Sequence, residues 1–494
     1  MDKTEFWKHK LMAFLHDPPC KCFNIKEHER IAEDFRNEAG IKPEEYSAFA
    51  KQCDHLASAA DRFPFPQRKC TSEFTGGENF PFKHPFCNQK LAFNVPMQTA
   101  ELAEELFQKS SGGIPRELDW KSKFFLYWRR WPEESAKQDE RLAYLPADTR
   151  IPDHTIWNHM SMTSAFQACL DVQGSMKQAF LHFQLGPVQE FIAAAKSTRD
   201  LAAGSYLLAW LTAHAMKAVS DEIGPDCIVF PSLRGQPIFD LLHKPLLEQI
   251  KLTGKNGQSE TLWNRMYAEK EISRLLRPTL PNRFCALIPE TKGSEIAQKA
   301  AQAIQDELKR IGELVWPRVA EGFSVHDRKE WEAFTPTEID KRRWEQQIEQ
   351  FPQTTWTVTP WNEKTKEKDS ILKLRELAEK TIPTEDRDSR NYPLNSGFFW
   401  QAHLEASVAD MAARRNLRNF DQLGDPSDFN QRAESKKDRL TGRDEEIGST
   451  GYSAMSLVKR LFHEHVLRPA IGAPKRRFWV CGGIFLCNPS RRIA

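Results

Sequence analysis

The sequence predicts an α+β multidomain protein: a helical N-terminal region, a central unit of strands and helices, and a mainly helical C-terminal region. Three observations lead there. The chain has 494 residues, more than one hydrophobic core usually supports, so roughly two to four domains of ordinary size are expected. Apolar residues recur at helical spacing along 5–16, 44–61 and 98–109, as on amphipathic helices. At 179–185 the pattern changes to AFLHFQL, which alternates toward one apolar face and reads as a strand.

Residues 1–170 read as helices separated by Pro-rich and Gly-rich loops. After the strand at 179–185, GPVQ forms a turn, and a helical pattern rich in Ala and Leu runs from about Glu190 to Val219. CIVF at 227–230 and RFCALIP at 283–289 are further strands, and 294–313 is another amphipathic helix. This alternation favours helices packed on a sheet. Residues 325–390 are charged and Trp-rich with little β signal, which predicts a helical insert, whereas 425–451 are polar and read as an exposed loop. No repeat of solenoid period and no low-complexity tract occurs.

Lys and Arg number 70 against 68 Asp and Glu, a formal charge of +2, so no global field draws the chain onto nucleic acid. Contact with phosphate must be local, for example through Arg414-Arg415, Lys436-Lys437 or Lys475-Arg476-Arg477, although solvated loops explain such clusters equally well. Fourteen Trp and 32 Phe beside a mean hydropathy of -0.60 describe a globular chain with aromatic anchors. The N-terminal apolar run is broken by His and Asp, unlike a signal peptide, and no segment approaches the roughly 18 apolar residues of a membrane span. A cytoplasmic protein with no membrane association is expected. The ten cysteines include Cys20 with Cys22 and Cys481 with Cys487, but no paired CxxC array, so reduced thiols are expected.

Two constellations carry chemistry. His16-Asp17 ends an apolar helical run and is followed by Pro18-Pro19, so a helix stops there and side chains can converge. Imidazole beside carboxylate makes an N,O pair for a divalent transition ion. Asp54, His55 and Asp61 lie on one predicted helix, with His55, Ser58 and Asp61 stepping along nearly one face. LPADTRIPDHTIWNH adds Asp148, Asp153, His154 and His159. Simple capping accounts equally for the aspartates. The second constellation, HFQLGPVQEFIAAAKSTRDLAAGSYLLAWL, sets a close backbone approach at Gly186 beside Lys196, Ser197, Thr198, Arg199, Gly204 and Ser205. These groups could meet phosphate or a base. A strand packed on an amphipathic helix with no ligand accounts for the same residues.

FLHDPPCK, DHLASAADRFPFP, KHPF and LPADTRIPDHTIWNH occur in this order, followed by GPVQEFI, KSTRDLAAGSYLL, IVFPSLRGQPIFD and LPNRFCALIP. In these motifs the chain resembles the large, polymerase/cyclase-related subunit of type III CRISPR effector complexes, most closely the III-B branch. Matches run from about residue 10 to 290 and are scattered to about 465. The resemblance implies a permuted HD-like phosphohydrolase domain at 1–170, with His16, Asp17, Asp61 and His159 as metal ligands and His55 and His84 as further candidates. His16 and Asp17 would carry cleavage of single-stranded DNA, with an ion of the manganese, nickel or cobalt type. It also implies a ferredoxin-like first palm at 175–325 that lends one side to an ATP site through Gly186, Pro187, Ser197, Arg199, Gly204 and Ser205, with Tyr206 packed beneath. Residues 326–425 are then a helical insert or linker.

Residues 426–494 depart from the family pattern. Family members carry a zinc insert built from two CxxC pairs; KDRLTGR at 437–443 and YSAMSLVKR at 452–460 stand there, with Asp438, Thr441, Ser453 and Ser456 at the cysteine positions. Hydroxyls are poor ligands for structural zinc, so none is expected. The Gly-Gly-Asp-Asp motif of the second palm is also missing; CGGIF at 481–485 has no following carboxylates. Cyclic oligoadenylate synthesis by these residues alone is therefore not expected. The resemblance implies partners in guide crRNA, target RNA and the other complex subunits, with single-stranded DNA as nuclease substrate. A free-standing HD phosphohydrolase and an inactive scaffold remnant are the alternatives.

Overall fold

The computed structural model describes residues 2–472 apart from 46–47, 61–99, 112–113, 115–116, 148–153, 172, 254–257, 268–271, 326–327, 362–368, 370–372, 374–375, 377–398 and 418–435. The N-terminal region is helical: α1 (Lys3–Phe14), α2 (His28–Glu38), α3 (Ala48–Ala60), α4 (Ala100–Ser111), α5 (Trp120–Gln138) and α6 (Ile156–Gln167). Asp2, Asp119 and Thr155 cap α1, α5 and α6, each side chain accepting a first-turn backbone N–H. Such caps satisfy donors that the helix itself cannot. The buried aromatic residues of the sequence explain the packing. Trp131 is surrounded by Phe35, Phe107, Tyr127 and Trp157 at centroid distances of 5.1, 6.3, 5.5 and 5.4 Å, and its indole N–H donates to Ser110 Oγ at 3.0 Å. The polar tip is thus satisfied inside the core.

The central unit runs β1 (Gln178–Gly186), α7 (Gln189–Ala193), α8 (Thr198–Ile223), β2 (Ile228–Phe230), α9 (Pro237–Leu242), α10 (Lys244–Gln249), β3 (Lys251–Thr253), β4 (Ser259–Thr261), α11 (Leu262–Met266), β5 (Arg283–Pro289), α12 (Gly293–Ala320), β6 (Phe323–Val325), β7 (Arg328–Trp331), α13 (Glu338–Gln350) and β8 (Gln353–Pro360). Strands β2, β5, β1 and β8 lie side by side in that order, and every neighbouring pair is antiparallel. With α8 and α12 as crossovers, the connection order β1-α8-β2-β5-α12-β8 is a split β-α-β arrangement. Alternation in β1 builds two faces. Phe180 meets Trp400 at 4.8 Å and His182 lies 2.9 Å from Ser407 Oγ, both on the Trp400–Asn416 helix. On the other face Val358, paired with Leu181 in register, packs where Gly293 begins α12.

The helical region and the sheet unit share one continuous core. Lys10 of α1, fully buried, crosses to Asp226 just after α8. Its Nζ donates to Asp226 Oδ2 at 2.5 Å and to the Ser164 carbonyl of α6 at 2.7 Å.

Strands expected at 179–185, 227–230 and 283–289 are present, with ends moved by a residue or less. The helix expected from Glu190 to Val219 is two helices, because Ser197 caps a fresh N-terminus and accepts from Asp200 N. A larger correction concerns 326–425, expected as a helical insert beyond a sheet unit ending at 325. The fourth strand of the sheet is Gln353–Pro360, preceded by the β6–β7 hairpin. QTTWTVTP is half-buried between its exposed end residues, and its threonines hide the apolar alternation that betrays the other strands. Among the described residues, no helix is long and apolar enough to cross a membrane.

Candidate metal centre

Helix α1 stops at Phe14, and the chain turns through Pro18-Pro19, with Lys21 N bonded to the Pro18 carbonyl at 3.0 Å. Arg36 of α2 donates to the Leu15 carbonyl at 3.1 Å and holds this corner. The turn brings His16 and Asp17 against α3 and α6. His159 Nε2 lies 2.9 Å from Asp54 Oδ1 and 3.4 Å from Asp17 Oδ2, and His16 Nε2 lies 3.6 Å from Asp54 Oδ2. Asp17, Asp54 and His159 each offer a ligand atom, and these atoms lie within 4.8 Å of one another. Asp17 and His159 are buried, whereas His16 and Asp54 are half-buried, so the cluster is reached from the His16–Asp54 side.

The electrostatics keep both carboxylates ionised. Burial opposes the charge on Asp17, but the Lys21 ammonium at 2.5 Å and the His159 contact outweigh it and hold the carboxyl well below the usual range. Burial likewise opposes the charge on Asp54, and contacts with His159 and His16 overcome it. Asp17 Oδ1 is buried and has no hydrogen-bond partner. Two ionised carboxylates, imidazole nitrogen and an orphaned oxygen fit a divalent transition ion.

Three of the four expected ligand positions bear on this cluster. His16, Asp17 and His159 come together, while Asp61 lies outside the described residues, as do His84, Asp148 and Asp153. Asp54 supplies the second carboxylate. The helix-face reading that put His55 with Asp61 is corrected for His55, which is exposed. The inward face of α3 carries Asp54 and Ser58, whose Oγ lies 3.4 Å from Asp54 Oδ1. A spacing of four along a helix selects that face. His154 is half-buried, with its ring 6.3 Å from that of His159.

The second constellation sits at the end of β1, where the Gly186-Pro187 peptide is cis. Ser197 is spent on capping α8, and Arg199 pairs with Glu464 at 2.9 Å. Ser205 is half-buried, and Tyr206 is buried with its hydroxyl on the Leu275 carbonyl at 2.5 Å. Gly204 has a packing reason: a Cβ there would meet Lys459 Cδ at 2.9 Å. Lys459, from the Ala454–Phe462 helix, passes over Gly204 to donate to the Phe191 and Ala194 carbonyls at 2.6 and 2.5 Å. Arg460 beside it spans Asp200 at 3.2 Å and Glu330 at 2.9 Å. Sequence reading missed both, because partners 130 to 268 residues apart leave no local pattern.

Asp438, Ser453 and Ser456 converge as well. The buried Asp438 carboxylate accepts from Ser453 N at 2.7 Å, Leu440 N at 2.6 Å and Thr441 N at 3.1 Å, and Ser453 Oγ lies 3.3 Å from Ser456 Oγ.

Residues 180–313 match the family model described as CRISPR-associated protein Cmr2, N-terminal. The CRISPR system Cmr subunit Cmr2 of Pyrococcus furiosus is 28% identical over 383 residues, which cover 65% of this chain and 40% of that protein. In these residues the chain is similar to Cmr2 proteins. A second Cmr2 subunit, from Saccharolobus solfataricus, is 26% identical over 325 residues, 58% of this chain and 30% of the relative. The chain therefore spans less than half the length of these Cmr2 relatives. Two solved structures share the fold over 94% of the chain: the type III-B Cmr-beta apo state, with a TM-score of 0.64, 16% identity and 50% of that chain covered, and Cmr-beta bound to cognate target RNA, with a TM-score of 0.55, 17% identity and 51% covered. The III-B large-subunit resemblance read from the motifs is thus borne out.

Proposed function

We propose that this chain is a Cmr2-type protein that works as large subunit of a type III-B RNA-guided defence complex, holding an HD-type metal centre that cuts single-stranded DNA and a first palm that contributes to an ATP site. The observation that carries the centre is the meeting of His16, Asp17, Asp54 and His159 from three separated segments, with an orphaned carboxylate oxygen among them. His16, Asp17, Asp54 and His159 would hold the ion, which supplies Lewis-acid stabilisation of the phosphodiester and a nucleophile at neutral pH. Asp54 sets one carboxylate oxygen beside each ring nitrogen, so the three side chains converge on one point. The Pro18-Pro19 turn fixes Asp17 beneath them.

The sheet with its α8 and α12 crossovers is the candidate palm. Its likeness to the Cmr-beta fold and the Cmr2 match over 180–313 support that reading. Guide crRNA, target RNA and the other complex subunits are the proposed partners, consistent with a relative solved on cognate target RNA. Cleavage of labelled single-stranded DNA by the assembled complex with manganese tests the centre. Loss of cleavage in His16→Ala/Asp17→Ala, with RNA content unchanged, is expected. Undiminished cleavage by the double variant would remove the assignment.

A further inference from the structure

The metal-centre reading leaves one group unused. Lys21 Nζ lies 2.5 Å from Asp17 Oδ2, and that same oxygen lies 3.4 Å from His159 Nε2. We propose that the Lys21 ammonium is a built-in cation of the centre, which competes with a divalent ion for Asp17 and keeps metal affinity low. The inference rests on the proposed centre at His16, Asp17, Asp54 and His159.

Lys21 is delivered by rigid backbone. Pro18 and Pro19 have fixed φ, and Lys21 N closes a turn on the Pro18 carbonyl at 3.0 Å, so the side chain starts one turn beyond Asp17. The pair is sheltered, with the Asp17 side chain 2% exposed and that of Lys21 23% exposed. Charge balance then decides the competition. Asp17 and Asp54 bring two negative charges, and Lys21 neutralises one of them before any ion arrives. An ion bridging His159 and Asp17 Oδ2 would sit on the oxygen the ammonium occupies. An ion turned to Asp17 Oδ1 would still face a like charge across a single carboxylate, in surroundings that screen poorly. Loading therefore requires displacement of Lys21 or tolerance of its repulsion. A neutral side chain at 21 removes both penalties, and the gain is about tenfold or more in affinity for a divalent ion.

The test is equilibrium dialysis of the whole chain against manganese, with free ion read from its electron paramagnetic resonance signal. Lys21→Met and Lys21→Gln are expected to bind about tenfold or more tightly than wild type. Lys21→Arg stays near wild type, and Asp17→Asn loses the ion. Using two neutral variants guards against one that misfolds, and circular dichroism of each checks the fold. Equal affinity in wild type and both neutral variants, with the ion lost in Asp17→Asn, would overturn the role of Lys21 and leave the centre standing. Absence of bound manganese in folded wild type and neutral variants alike would overturn both.

Discussion

Replacing Lys10 by Met should loosen the joint between the helical region and the sheet unit more than any surface change. Both partners of the Lys10–Asp226 pair are fully buried, so no water can solvate Asp226 once the ammonium is gone. The Ser164 carbonyl also loses its donor. Removing one member of a buried, hydrogen-bonded pair costs roughly 3–5 kcal/mol, because the other charge is left uncompensated. Neutralising the partner as well, in Lys10→Met/Asp226→Asn, should restore about 2 kcal/mol of that loss, since contacting residues are not additive. Urea unfolding followed by tryptophan fluorescence measures this. Lys10→Met within about 1 kcal/mol of wild type, or a double variant whose loss is the sum of the singles, would refute the reasoning.

Asp438→Ala leaves the Ser453, Leu440 and Thr441 backbone donors without their acceptor and should destabilise the 437–456 corner by roughly 2–4 kcal/mol, read as a fall in melting temperature. Burial opposes the charge on Asp438, but hydrogen bonds from Ser453 and Ser456 outweigh it and lower its pKa in the folded chain. Its contribution is therefore present above the unfolded carboxyl pKa and lost as pH falls through the folded one, so the mutant deficit should shrink in acid. If the corner holds tightly bound zinc by elemental analysis, and Asp438→Ala loses it, the metal-free reading fails. Burial pushes Lys459 down to about 8 from 10.5; between those values the unfolded chain binds more protons, so stability should rise with pH, and Lys459→Met should lack that rise in melting curves. These 494 residues carry no Gly-Gly-Asp-Asp segment, so the purified chain with labelled ATP and magnesium should yield no oligoadenylate; product from it alone would place a second carboxylate pair elsewhere.

Local patterns announced themselves in the sequence, and long-range partnerships did not. AFLHFQL and RFCALIP alternate or run apolar because they are buried in mid-sheet, whereas the threonines of β8 mask a strand that is half-buried on both faces. His16-Asp17 before Pro-Pro was legible as a helix stop with two ligands, and His159 followed from the family resemblance. Asp54 stands among the acids of its helix, but local spacing does not single it out, because that requires knowing which face of α3 meets His159 of α6. Lys459 and Arg460 were invisible as site neighbours: they act on Phe191, Ala194 and Asp200, reached only through the tertiary fold. The cysteine positions of the family insert, in contrast, mapped onto residues that do meet, with the Asp438 carboxylate accepting backbone donors at their junction.

The most direct measurement is affinity purification of the tagged chain from cells that also express the type III-B subunits and a guide RNA, followed by sequencing of the bound RNA and quantitation of the proteins. A large-subunit role requires guide crRNA and the backbone subunits to be recovered in fixed proportion to the chain through a sizing column. Recovery of the chain alone, free of RNA and of those subunits, would contradict it.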